Sequence, residues 1–169
     1  MPTYDFRPLA REDLPLVRHW LLQPHVARWW GDVDEEMAAI ATIFDDPHVD
    51  AFVMLLDGRP VGYFQAYDPN AEAGHPFAGE PSGTLGLDLS IGEAALIGRG
   101  HGSAFIRRFA ADAFARGVPR LITDPNPDNP ASIRAFEKAG FQRRWVRDVP
   151  PFGPVQFMTC DAPAAKVAP

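Results

Sequence analysis

Residues 84–103 read TLGLDLSIGEAALIGRGHGS and combine three local patterns. Residues 84–91 alternate between apolar side chains and small or polar ones, which predicts a β-strand with one apolar face. The glycine-rich segment 98–102 follows as a turn. Residues 103–116 then carry apolar side chains at helical spacing and stop at Gly117, a residue typical of helix ends. The stretch therefore predicts a strand, a glycine-rich turn and a helix in direct succession.

The turn and its first helical residue, Gly98 to Ser103, read GRGHGS. A glycine-rich turn that opens a helix presents backbone N–H groups at the positive end of the helix, which suits a phosphate. A nucleotide-binding P-loop would need Gly-Lys-Ser/Thr after a four-residue spacer, and it is absent. Phe105 stands where a dinucleotide fingerprint would place its third glycine. From these residues alone, an anion site and a simple tight turn both stay open.

The flanking segments alternate between strand and helix patterns. The predicted elements are a strand at 3–7, helices at 14–21, 25–30 and 34–44 (with Asp34 as N-cap), a hairpin of strands 51–56 and 61–67, a loop at 68–83, the strand–turn–helix unit, a strand at 121–124, a helix at 130–139 with Asn129 as N-cap, and strands at 141–149 and 155–160. Strand–helix–strand crossovers imply parallel pairing, and hairpins imply antiparallel pairing. The chain is thus predicted to be an α/β (α+β) protein, whose mixed, mostly antiparallel sheet of six or seven strands has helices on both faces.

Size and composition predict one soluble domain. The chain has 169 residues, of which 46% are hydrophobic and 22% charged, which are globular values. Residues 1–160 are expected to form the domain, and residues 161–169 (DAPAAKVAP) a disordered tail. No run of 18 apolar residues exists, and the N-terminal residues are charged, so we expect no membrane segment, no signal peptide and a cytoplasmic location.

The charge balance limits the partners. Sixteen basic residues against 22 acidic ones give a net charge of −6, which argues against nucleic acid as a partner and leaves room for a cationic small molecule. The single Cys160 excludes an internal disulfide and a cysteine-based zinc cluster. The five histidines lack metal-ligand spacing, so no metal is expected.

A second motif, further along the chain, narrows the interpretation of the glycine-rich turn. Residues 129–141 read NPASIRAFEKAGF, beginning 30 residues after Arg99. This pair of motifs resembles the GCN5-related N-acetyltransferase (GNAT) superfamily, whose corresponding helix reads Asn, then Ala or Ser, then an aromatic residue, then Glu-Lys-x-Gly-Phe. The resemblance implies that acetyl-coenzyme A is the cosubstrate. The residues that it assigns to this cosubstrate are Leu89, Ser90 and Ile91 beside the pantetheine arm, Arg99, Gly100, His101, Gly102 and Ser103 at the pyrophosphate, and Asn129 and Phe136 facing it.

The chain resembles the aminoglycoside 6′-N-acetyltransferase branch in particular, over residues 4–158. The matching segments are HWL at 19–21, HVARWWG at 25–31, GYFQAY at 62–67, GLD at 86–88 and TDPNP at 123–127. The same segments resemble siderophore-biosynthesis acyltransferases, which acetylate an N-hydroxylysine group. Those proteins usually carry His where this chain has Asp88, which favours the aminoglycoside branch.

Asp88 is the predicted catalytic residue. An amine acceptor arrives protonated, and a carboxylate beside it can bind the ammonium and accept its proton. Pairing at a sheet edge would also explain an aspartate on this strand. The resemblance further assigns Asp124 and Trp30, with Asp88, to acceptor binding, although an Asx turn would equally explain Asp124.

Three features depart from the family pattern. Phe136 stands where many relatives have a tyrosine that protonates the leaving thiolate, and three alternatives stay open: water protonates it, another hydroxyl does so (Ser132 is a candidate one turn earlier), or acid catalysis is dispensable. The loop 68–83 has Phe77 as its one aromatic residue, where the relatives have a tryptophan pair. Phe152 replaces the acid of a Pro-Asp-Gly motif.

The sequence therefore predicts an acetyl-coenzyme A-dependent N-acetyltransferase that acts on a primary amine of a cationic small molecule. The leading acceptor is an aminoglycoside 6′-amine, which would make the protein an antibiotic-resistance enzyme. Transfer would be direct, with Asp88 as general base. A siderophore-type N-hydroxylysine acetyltransferase and a weakly catalytic acetyl-coenzyme A-binding module are the alternatives. A monomer or a homodimer is expected.

Overall fold

The computed structural model describes residues 1–164. Its strands are β1 (Tyr4–Pro8), β2 (Val49–Leu56), β3 (Arg59–Tyr67), β4 (Leu85–Ile91), β5 (Arg120–Thr123), β6 (Gln142–Val149) and β7 (Gly153–Asp161). Its α-helices are α1 (Leu14–Leu21), α2 (Pro24–Trp30), α3 (Val33–Thr42), α4 (His101–Ala115) and α5 (Pro130–Lys138).

The seven strands form one sheet in the order β1-β2-β3-β4-β5-β7-β6. Each neighbouring pair is antiparallel except β4 and β5, which are parallel. Successive strand residues point to opposite faces, so Met54 and Phe64 join the core beneath α4 and α5, whereas Val53 and Tyr63 join the core beneath α1, α2 and α3. The predicted mixed, mostly antiparallel sheet with helices on both faces is confirmed.

Of the two N-caps predicted from the sequence, one is confirmed and one is wrong. Asn129 caps α5, because its Oδ1 accepts a hydrogen bond from the backbone N–H of Ser132 at 3.2 Å. The N-cap predicted for the third helix was wrong by two residues. Asp32, not Asp34, caps α3, and its Oδ1 accepts from the N–H groups of Asp34 and Glu35. Gly31, with φ of 86°, ends α2 at once and leaves Asp32 in the extended conformation that an N-cap needs.

The end of the ordered domain lies slightly beyond the predicted position. Asp161 is the last residue of β7, and its Oδ1 accepts a hydrogen bond from Nε of Arg120 at 2.6 Å. The predicted domain boundary at residue 160 thus falls within this strand, and residues 165–169 of the predicted tail lie outside the described part of the chain. Among residues 1–164, none of the helices combines the length and the apolar character that a membrane crossing requires.

The parallel strands β4 and β5 pair over a short distance and then separate. Their register joins Leu85 to Leu121 and Gly86 to Ile122. At the end of this contact the hydroxyl of Thr123 donates a hydrogen bond to the carbonyl oxygen of Leu87 at 3.0 Å. The second half of β4 therefore has β3 on one side and an opening on the other.

Candidate active site

The opening beside β4 exposes main-chain polar groups. Since alternate residues of a strand direct their N–H and C=O groups to the same side, Leu89 faces the same way as Leu87 and Ile91. The carbonyl oxygen of Leu87 is bonded to Thr123, and that of Ile91 accepts from Nε2 of His25 on α2 at 2.8 Å. Leu89 lies between these two hydrogen-bonded positions, and its N–H and C=O face the gap that opens where β5 separates from β4.

A cavity of about 430 Å³ adjoins this gap at the N-terminus of α4. Nine of the ten residues predicted to contact the cofactor line it, namely Leu89, Ser90, Ile91, Gly100, His101, Gly102, Ser103, Asn129 and Phe136. The tenth, Arg99, is exposed and does not line the cavity. Its other polar lining includes the cations Arg28, Arg134 and Lys138, and within residues 1–164 this lining contains no aspartate or glutamate. The cavity, named here the basic cavity, suits an anionic ligand.

The glycines of the turn have different backbone roles. Gly100 is the N-cap of α4 in the left-handed conformation, with φ of 85°, where a β-carbon would be strained. Gly102, unlike Gly100, does not have a positive φ. A β-carbon there would lie 3.8 Å from Cβ of Ala135 and 3.9 Å from Cδ1 of Ile91. Gly102 therefore keeps the basic cavity open rather than making the turn possible.

A second, larger cavity of about 950 Å³ lies on the other side of the junction. Six carboxylates line it, namely Glu36, Asp46, Asp68, Glu72, Asp88 and Asp124. Within residues 1–164 no lysine or arginine contributes to this lining. Its titratable bases are His48 and His75, and burial lowers the pKa of His75, which keeps it neutral near pH 7. This acidic cavity suits a ligand with several positive charges.

Asp88 lies on β4 at the inner end of the acidic cavity. Its Oδ2 accepts a hydrogen bond from Nε2 of Gln65 at 2.8 Å, and Oε1 of Gln65 accepts from the hydroxyl of Tyr63 at 2.7 Å. Burial raises the pKa of Asp88, and the Gln65 bond opposes this rise. Burial raises the pKa of Tyr63 well above its usual range, so its hydroxyl stays protonated and orients Gln65. Asp88 is thus a fixed carboxylate with increased basicity.

The charge of Asp88 contributes to raised pKa values of two further carboxylates. Asp124 follows β5 directly, and burial, with the charge of Asp88 second, raises its pKa to about 8. Glu36 on α3 also has a raised pKa, caused first by burial and then by Asp88. Sequence reasoning missed Glu36, because an acid in the first turn of a helix is ordinary and gives no sign of a cavity.

Both tryptophans of α2 lie at the junction between the two cavities. Trp30, the predicted acceptor contact, packs edge-on against Tyr63 with ring centroids 6.0 Å apart. Trp29 carries the guanidinium of Arg28 over its ring at 4.6 Å. Each is half-buried and lines both cavities, so Trp29 joins Trp30, which alone was predicted as a site residue.

The two cavities share one wall at this junction. The residues that line both cavities are Trp29, Trp30, Leu89, Asn129, Ser132 and Phe136. Phe136 is 3% exposed and packs edge-on against Phe141, so it brings an apolar ring and no hydroxyl to this wall. Ser132 brings the hydroxyl.

Phe77 and Phe152, the two aromatic residues at which the sequence departs from the family pattern on the acceptor side, differ in their exposure. Phe77, from the loop 68–83, is buried and stacks on Phe157 at 5.1 Å, so it serves a small core at the edge of the acidic cavity. Phe152 is 60% exposed at the cavity lining. Cys160 lines neither cavity, and burial raises the pKa of its thiol, which makes it a poor nucleophile.

Comparison with known proteins agrees with this geometry. Residues 10–149 match the family model described as acetyltransferase (GNAT) domain. An aminoglycoside N(6′)-acetyltransferase type 1 of Klebsiella pneumoniae is 29% identical over 167 residues, which covers 92% of this chain and 82% of that protein. An N-hydroxyputrescine acetyltransferase of Acinetobacter baumannii is 27% identical over 131 residues, covering 75% and 61%. The solved structure of AAC(6′)-Ib in complex with ribostamycin and coenzyme A superposes with a TM-score of 0.84 at 27% identity, covering 94% of this chain and 93% of that one.

Proposed function

The chain belongs to the acetyltransferase (GNAT) domain family, and from this premise we propose that it transfers the acetyl group of acetyl-coenzyme A to a primary amine of a polycationic small molecule. The acceptor proposed first is the 6′-amine of an aminoglycoside. The observation that carries the proposal is the pair of adjoining cavities of opposite charge that share one wall. A cytoplasmic location is part of the proposal.

The basic cavity fits the acyl donor. The N-terminus of α4 directs backbone N–H groups into it, and the side chains of Arg28, Arg134 and Lys138 supply positive charge for phosphates. Acetyl-coenzyme A supplies an activated thioester when it is bound. The gap beside Leu89 offers a backbone N–H to the carbonyl oxygen on which negative charge develops during transfer.

The acidic cavity fits the acceptor. Asp88, held by Gln65, would bind the reacting ammonium and take its proton, directly or through a water molecule. Asp124 and Trp30 would contact the rest of the acceptor. The rate would come mainly from holding the amine against the thioester at the shared wall.

A thiol-release assay tests the proposal. Purified full-length protein is given acetyl-coenzyme A with kanamycin, with N-hydroxylysine or with no acceptor. We expect release with kanamycin well above the other two. A preference for N-hydroxylysine would assign the siderophore-type reaction, and release that no acceptor stimulates would leave only a cofactor-binding module.

A further inference from the structure

Glu36 is a carboxylate of the acidic cavity that the resemblance to known acetyltransferases did not single out. It lies in the first turn of α3, one turn before Ile40, which is 2% exposed and anchors this face of the helix in the core. Residues four apart share a helix face, so Glu36 is held beside the sheet rather than in open solvent. The side chain is half-buried and lines the same cavity as Asp88.

The neighbouring acids of the same turn have other surroundings. Oδ1 of Asp34 forms an ion pair with Nη1 of Arg18 at 2.7 Å. Glu35 is exposed and does not line the cavity. Within residues 1–164, no hydrogen bond or ion pair reaches the carboxylate of Glu36. The preference of acidic residues for a helix N-terminus explains why a glutamate occurs in this turn. It does not explain why this side chain lines the cavity.

The surroundings of Glu36, as far as residues 1–164 form them, favour a cationic ligand. Asp88 and Glu36 are close enough for the charge of Asp88 to raise the pKa of Glu36, and the cavity lining, over the described residues, brings no lysine or arginine to offset either. Two partly buried carboxylates without a counter-ion repel each other. A ligand with two ammonium groups removes that repulsion and gains both contacts.

We infer that Glu36 is a specificity-determining residue, which binds a second ammonium group of the acceptor while Asp88 engages the amine that reacts. This inference rests on the proposed function. Negative charge for acceptor binding would then come from Glu36 on α3, where Phe152 replaces the acid of the Pro-Asp-Gly motif.

Two isosteric variants in one helical turn test this role. The dissociation constants of kanamycin and of glucosamine, a sugar with a single amine, are measured by calorimetry for wild type, Glu36→Gln and Glu35→Gln. We expect Glu36→Gln to weaken kanamycin binding about tenfold, the lower range for a charged hydrogen bond, and to leave glucosamine within about twofold. Glu35→Gln should change neither constant.

The outcomes separate this inference from the proposed function. Equal kanamycin constants for wild type and Glu36→Gln, or equal losses for both sugars, would overturn the role of Glu36. Melting temperatures and the acetyl-coenzyme A affinity verify that the fold and the basic cavity are intact. Absence of thiol release from wild type would refute the proposed reaction, whereas the kanamycin constants would still decide whether Glu36 selects multiply charged ligands.

Discussion

The side-chain amide of Gln65 donates a hydrogen bond to Oδ2 of Asp88 at 2.8 Å, across neighbouring strands at paired positions of β3 and β4. The bond fixes the carboxylate in the lining of the acidic cavity, and among residues 1–164 no hydrogen bond engages its other oxygen. Because burial raises the pKa of Asp88, the carboxylate is a stronger base than an exposed aspartate.

Replacement of Asp88 should affect catalysis rather than cofactor binding. Asp88→Asn is expected to lower kcat/KM for the amine by ~10²–10⁴-fold, the usual range for loss of a general base. The loss should shrink at high pH, where the amine loses its proton unaided. Steady-state kinetics from pH 6 to pH 10 measure this, and an unchanged rate and pH profile would make Asp88 a structural residue.

The two ends of α4 offer a matched test of the phosphate turn. Gly100 and Gly117 both have positive φ, at 85° and 93°, so alanine at either position should cost about 1–2 kcal/mol of stability. Only Gly100→Ala should also weaken acetyl-coenzyme A binding, because Gly117 is remote from the basic cavity. Melting curves and calorimetry compare the two variants.

Gly102 supplies the complementary case. Gly102→Val should leave the melting temperature almost unchanged, since this helical glycine has no positive φ, and should weaken acetyl-coenzyme A binding more than tenfold by filling the basic cavity. An unaltered dissociation constant in a folded variant would remove the turn from the cofactor site.

Asp124 should make stability depend on pH. Its folded-state pKa of about 8 lies above the value near 4 of an unfolded aspartate, so the folded state keeps a proton that the unfolded state loses. Its contribution to stability is therefore present in full below about pH 4 and is lost as pH rises to about 8. Asp124→Asn should remove this loss and raise the melting temperature most at pH 8 and above.

The exposed Asp128 in the same connection is the control for this measurement. Asp128→Asn should leave the pH dependence of the melting temperature unchanged. If Asp124→Asn follows wild type at every pH, the carboxylate is not buried in the way that the structure describes.

Ser132 and Phe136 test how the thiolate is protonated. Ser132→Ala is expected to lower kcat about tenfold if its hydroxyl assists the leaving group, less than the usual effect of a general acid because serine is a weak one. Phe136→Tyr should raise kcat and should make the enzyme insensitive to Ser132→Ala. Ser132→Ala at the wild-type rate would show that the serine hydroxyl does not serve this step, and a double variant as slow as Ser132→Ala alone would show that a tyrosine at position 136 does not replace it.

Ionic strength should affect the acceptor and depend on its charge. Kanamycin binding should weaken as salt rises, since screening acts over ~8 Å at physiological ionic strength and over less above it. Glucosamine, with one amine, should respond much less. Calorimetry at low and high salt compares them, and a salt-independent kanamycin affinity would contradict an electrostatic role for the acidic cavity.

Much of the fold and part of the site could be predicted from local sequence. The alternation of residues 84–91, the glycine turn and the cap at Asn129 each act within a few residues, so the chain itself reports them. The third helix shows the limit of such signals. Asp32 and Asp34 are both capable N-caps, and only the backbone at Gly31 decides between them.

The sequence by itself determined the family motifs and the order of the elements, because these depend on residue types at fixed spacing along the chain, and the resemblance carried by those motifs led to the prediction of Asp88 as general base. Only the tertiary structure decided that Glu36 faces the same cavity as Asp88, that both Trp29 and Trp30 line the junction, and that positive and negative charges occupy separate cavities. The physical reason is that a side chain's direction toward a cavity is set by how α2 and α3 pack on the sheet. That packing joins residues distant in sequence, and no local periodicity records it.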